Sequence, residues 1–161
     1  MKLNSIECSN VHNYGTIEVV KDASFDNYHV GDNSNLNVGG TLTIKVLKDA
    51  NDKQPSVNSI EANTIVIKET SSASISSLKA DTYIVESSST LKHVDSLNIN
   101  HLIVKGTGSG FFAPHMNYDA KGNKQTVHIE TASFEGANSK YSGIQIFNYN
   151  LVIDDLDIKE N

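Results

Sequence analysis

Apolar and polar residues alternate in short runs along most of the chain, as in Thr16-Ile17-Glu18-Val19, Asn35-Leu36-Asn37-Val38, Thr41-Leu42-Thr43-Ile44-Lys45-Val46 and Thr126-Val127-His128-Ile129. A period of two places every second side chain on one face, the pattern of a half-buried strand. No stretch sustains a 3.6-residue stripe, so the chain reads as all-β. The runs also recur. Ser59–Ile67, Ser77–Val85 and Ser96–Val104 superimpose, with Ile60, Leu78 and Leu97 spaced by 18 and 19 residues. Ile65, Tyr83 and Leu102 repeat with the same steps, as do Ile67, Val85 and Val104. Ile17 and Leu36, Val19 and Val38, and Ile6 and Phe25 are each 19 apart. Short strands at this period predict a single-stranded parallel β-solenoid of about 18–19 residues per coil.

In such a fold, strands too short to stand alone pair with their equivalents above and below, at about 4.8 Å per coil. Ile60–Leu78–Leu97 and Ile65–Tyr83–Leu102 are then expected as inward columns. Lys68–Glu86–Lys105, of alternating sign, are expected to point outward, and Thr70-Ser71-Ser72 and Ser87-Ser88-Ser89 to form a serine-lined corner. Cys8 falls on the inward phase with Ile6 and reads as a small buried hydrophobe. A β-sandwich also recurs every few residues, but has no reason to hold register over three repeats.

Two breaks interrupt the pattern. Residues 48–56 are charged and turn-rich, with Pro55 unable to donate to a ladder, and read as a loop between coils. Residues 106–125, opening on Gly106-Thr107-Gly108-Ser109-Gly110, read as an inserted loop. Alternation resumes beyond it, so 126–161 is expected to be less regular coils or a cap on the stack. No linker separates these parts. The expectation is one domain, 1–161, with regular coils over 1–105.

Composition supports strands: Val, Ile and Thr total 38 residues, and the turn formers Asn and Ser total 37. Thirteen lysines without arginine, against nineteen acids, leave a net charge of −6, which argues against a nucleic-acid partner. No apolar run approaches the roughly 20 residues of a membrane-spanning helix. The start, Met1–Cys8, lacks an apolar core segment, so a signal peptide is expected to be absent or already removed. A single cysteine excludes an internal disulfide and a cysteine-rich zinc site.

Catalytic chemistry finds little support. Asp154, Asp155 and Asp157 are the one local acidic cluster, but they interleave with Ile153, Leu156 and Ile158 as an ordinary strand does. The six histidines lack metal-ligand spacing, and the glycine runs precede no helix that would cradle phosphate. No catalytic residue, metal or cofactor is expected. The 106–125 loop is the best place for recognition, because repeat scaffolds hold such insertions in position. Its candidate binding residues are Phe111, Phe112, His115 and Tyr118. On that reading, replacing both phenylalanines with serine leaves melting nearly unchanged; if instead they pack on the solenoid flank, stability collapses.

Asn13-Tyr14-Gly15-Thr16-Ile17-Glu18-Val19 and Leu36-Asn37-Val38-Gly39-Gly40-Thr41-Leu42-Thr43-Ile44 resemble the repeats of large secreted bacterial β-helices, the autotransporter passengers and filamentous haemagglutinin-type adhesins. The likeness spans about residues 10–105 and is one of repeat style. It implies a right-handed parallel β-helix, secreted or on the bacterial cell surface. The implied role is adhesion, self-association or toxin delivery in virulence, with a protein or glycan of another cell surface as partner. Ile60-x-Ala62-x-x-Ile65-x-Ile67 and Leu78-x-Ala80-x-x-Tyr83-x-Val85 are also similar to bactofilin coils, which implies a cytoplasmic, self-polymerising cytoskeletal β-helix. A polysaccharide-active enzyme on the same fold stands third, since the arginine such lyases use is missing.

Overall fold

A computed structural model describes residues 2–51, 57–106, 109–113, 122–135, 143–146 and 149–159. The described residues contain no helix. Their strands are β1 (Lys2–Leu3), β2 (Ile6–Asn13), β3 (Thr16–Val19), β4 (Ala23–Val30), β5 (Ser34–Asp49), β6 (Asn58–Ile67) and β7 (Ser71–Ser74). There follow β8 (Ser77–Val85), β9 (Ser88–His93), β10 (Ser96–Lys105), β11 (Gly110–Ala113), β12 (Gln125–Glu135), β13 (Gly143–Ile146) and β14 (Tyr149–Lys159). All fourteen join one sheet in the order β13-β11-β9-β7-β5-β6-β8-β10-β12-β14, with β1 to β4 stacked on the other side of β5. Every pairing is parallel, and the sheet curls around one core in the manner of a parallel solenoid.

The sheet curls because β5 is long enough to serve four ladders at once, with β6 along its first eleven residues. On its other side its first half pairs with β3 and its middle and end with β4, while Lys48 pairs with Ser72 of β7. Gly39 and Gly40 sit where the register shifts between Val38 and Thr41. A Cβ on Gly39 would come within 2.3 Å of the Val20 carbonyl oxygen, so the bend requires a residue without one.

Equivalent apolar residues stack directly. Leu42 pairs with Ile65, Ile65 with Tyr83, Tyr83 with Leu102, Leu102 with Ala132 and Ala132 with Leu156. Beside it, Phe25, Ile44, Ile67, Val85 and Val104 lead to Phe134 and Ile158. The middle members of both columns are fully buried, so the period-two alternation and the stacking together build the core. At the start of the chain the register differs from the simple spacing. Ile6 pairs with Ala23, and it is Cys8 that pairs with Phe25. Cys8 therefore holds the inward phase but is exposed, because β2 is paired on one side alone among the described residues.

The serine-lined corner is also different from expectation. Ser71–Ser74 and Ser88–His93 are strands, and Ser71 and Ser89 are buried in the core. The reason is volume: Tyr83 reaches across from the neighbouring ladder, and its hydroxyl lies 2.8 Å from Ser89 Oγ. A larger residue at 89 would occupy the space of that ring. Burial pushes the Tyr83 hydroxyl up to about 12, against a smaller opposing effect of the Ser89 hydrogen bond.

Asparagine closes the bends. Asn58 Nδ2 donates to the Ser74 carbonyl at 2.9 Å, and its Oδ1 accepts from the Ser76 amide at 2.7 Å. Asn13 Nδ2 donates to the Tyr28 hydroxyl and the Asn35 carbonyl, while its Oδ1 accepts from the Gly15 amide. Both are buried, and each satisfies backbone groups that the ladders leave at a bend. Lys48 and Asp49, expected in a loop, belong to the end of β5; Asp49 Oδ1 accepts from the Ser74 amide at 2.6 Å. Residues 52–56, with Pro55, lie outside the described residues.

Candidate functional site

The four binding candidates divide. Phe111 lies in β11, on the column formed by Ser71, Ser89 and Ile144, and is fully buried. Its ring meets Tyr83 edge-on at 5.4 Å between centroids. It is therefore a core residue, held in the space that the small Ser89 leaves open, and not a side chain offered by a loop. Phe112 alternates to the outside, half-buried, opposite Thr90 and Gln145, with its ring folded over Gly110. His115 and Tyr118 lie outside the described residues.

The feature that sequence reasoning missed is the end of the stack. In β14, Leu151, Leu156 and Ile158 occupy inward-phase positions, registered on Val127, Ala132 and Phe134 of β12. Leu102 and Ala132 in the same column are 0% and 1% exposed, but Leu156 is 53% exposed, as is Ile158 beside it. The cause is topological. Among the described residues β14 pairs with β12 and with nothing beyond it, so its outer row of backbone groups is open and its inward apolar side chains have no coil to cover them. Alternation alone cannot reveal this, because a covered and an uncovered coil carry the same pattern.

Three acids line this edge. Asp155 and Asp157 share the outward phase, registered on Thr131 and Ser133. Asp154 Oδ2 lies 2.8 Å from His128 Nε2, and Lys159 Nζ bridges Asp157 at 3.3 Å and Glu135 at 3.4 Å. Hydrogen bonds to those two carboxylates raise the Lys159 ammonium above its ordinary value. Asp157 is thus held by a lysine and Asp154 by an imidazole, and all three acids stand on an exposed strand.

At the opposite end, β1 and β2 present Leu3, Ile6 and Val11, each partly buried, and the exposed Cys8. A shallow groove of about 570 Å³ flanks this coil, lined by Ser5, Glu7, Asp22, Ser24, Thr41 and Thr43. On the outer face the imidazoles of His12 and His29 stack at 4.1 Å, 5° from parallel, in register with Lys48. Burial lowers the His29 imidazole below its ordinary value, and the nearby His12 and Lys48 add to this against a hydrogen bond to the Asp49 backbone. Among the described residues no group of three or more His, Cys, Asp or Glu side chains is placed to hold a metal ion, and no helix is long and apolar enough to cross a membrane. No family model matches the chain, nor does any curated protein or solved structure.

Proposed function

We propose that the chain is a structural and binding element, not an enzyme. On this reading it is a right-handed parallel β-helix of about 18–19 residues per regular coil, part of a secreted or surface-displayed bacterial adhesin or toxin passenger. It acts through adhesion to a protein or glycan of another cell surface, or through self-association. One observation carries the proposal: β14 leaves Leu151, Leu156 and Ile158 open at positions that the preceding coils bury. An uncovered parallel edge with its apolar row exposed is a template for another strand, which favours the self-association arm.

Sedimentation of the purified chain over a wide concentration range tests that arm. The expected result is reversible growth in mass that Leu156→Lys abolishes while the circular dichroism of the fold persists. A monomer at all concentrations refutes it. Surface labelling of intact cells tests the location, and exclusive labelling after lysis would instead support the cytoplasmic, bactofilin-like polymer. That second reading draws on the same open edge, with straight filaments in electron microscopy as its signature.

A further inference from the structure

We infer that the partner of the β14 edge is the first coil of a second copy, docked head to tail in a defined register. This rests on the self-association reading above and adds polarity and alignment to it. The argument comes from the columns. Leu156 closes a column whose upper members are Leu102 and Ala132, and whose first member, on β2, is Ile6, through Ala23 and Leu42. Ile158 closes the neighbouring column, which opens on Cys8 through Phe25 and Ile44. Ile153 likewise sits on Ile129 at this edge, while Leu3 sits on Val19 at the first coil.

The Leu156 and Ile158 columns thus begin and end on an apolar or thiol side chain, and the two ends of one molecule carry them in the same order, Ile6 before Cys8 and Leu156 before Ile158. A second copy placed one coil spacing beyond β14 continues the Leu156 and Ile158 columns at once. Its backbone direction also matches, since the pairings throughout are parallel. A head-to-head or tail-to-tail arrangement, related by a two-fold axis, would pair these edges antiparallel and break the columns. Head-to-tail contact does not close on itself, so it produces growing chains and not a dimer.

The same register has one unfavourable element. Glu7 heads an outward column that runs through Ser24 and Thr43, and Asp157 ends it, on Ser133. Head-to-tail docking sets these two carboxylates side by side, which weakens the contact and is relieved by salt. Glu7→Lys should therefore tighten association several-fold, to a degree that shrinks at high salt.

Ile158→Cys, with the native Cys8, reads the register directly. Neighbouring strands lie about 4.8 Å apart, inside the Cα separation of a disulfide, so copper–phenanthroline oxidation should link Cys8 of one copy to the new cysteine of the next. The expected product is a ladder of covalent oligomers whose linked peptides join the two ends, lost when Cys8→Ser is added. Ile158 is half exposed at an edge, so the variant keeps the fold, as circular dichroism will verify. Wild-type association accompanied by links between like ends alone, or by no links, overturns the head-to-tail register and leaves self-association standing. A wild-type chain that stays monomeric at every concentration and salt level brings down the underlying reading, and this inference with it.

Discussion

Replacing Phe111 with alanine separates a core role from a recognition role for the segment that follows Gly106. The ring is fully buried and meets Tyr83 edge-on, in a space bounded by Ser89 and Ile144. Deleting a buried phenyl ring costs about 3–5 kcal/mol through lost transfer energy and the cavity left behind. The edge-to-face contact lies toward the upper part of that range, since such pairs add roughly 0.5–1.5 kcal/mol to simple burial. For a chain of this size each kcal/mol moves the melting temperature by about 2–4 °C, so a fall of roughly 6–20 °C is expected. Phe112, one residue on, faces outward and is half-buried, so Phe112→Ala should stay within about 1 kcal/mol. Urea and thermal denaturation of the two variants side by side provide the comparison. Equal and small losses for both would refute the reasoning, and would return Phe111 to the role of an exposed loop residue.

Further outcomes follow from the hydrogen bonds and charges. Tyr83→Phe should cost about 1–2 kcal/mol by leaving the buried Ser89 hydroxyl unpaired, and Tyr83→Phe with Ser89→Ala should cost less than the two single changes summed, as a double-mutant cycle in urea will show. Asp49→Ala removes both the acceptor of the Ser74 amide and the partner of Lys92; a loss of about 1–3 kcal/mol is expected, whereas Lys79→Ala, at an exposed ion pair with Glu61, should cost less than about 1 kcal/mol. The folded state holds His29 below its ordinary value, so it disfavours the imidazolium relative to the unfolded chain. Its contribution is therefore complete above the unfolded value of 6.5 and is lost as pH falls through the lower folded value; urea midpoints measured from pH 7.5 down to 5 should decline, and His29→Gln should flatten that decline. An unchanged slope in the variant would remove His29 from the account.

The central ladder was legible because one kind of constraint acted on it. Ile65, Tyr83 and Leu102 must return to the same inward place, and with short, uniform bends their spacing in sequence equals their register in space. Legibility fell wherever a bend took up or released residues. Ile6 pairs with Ala23 and not with Phe25, because the bend between β2 and β4 is shorter than a uniform period assumes. Leu42 and Ile44 stack on Ile65 and Ile67, but the register shift at Gly39–Gly40 and the segment after Asp49 hide that alignment. Phe111 follows a glycine-rich stretch that resembles a loop, and its place in the core is dictated by a serine one coil away, which no local pattern encodes. The exposed row of β14 escaped for a further reason: whether a coil is covered depends on its neighbours, not on its own residues.

The uniformly parallel pairing has a mechanical consequence. Bonds between successive strands run along the direction of stacking, so tension drawn evenly across both ends must stretch every link between two coils together. Tension entering through a single terminal strand peels those links in succession, at far lower force. The strength of the molecule under load is therefore set by where it is gripped.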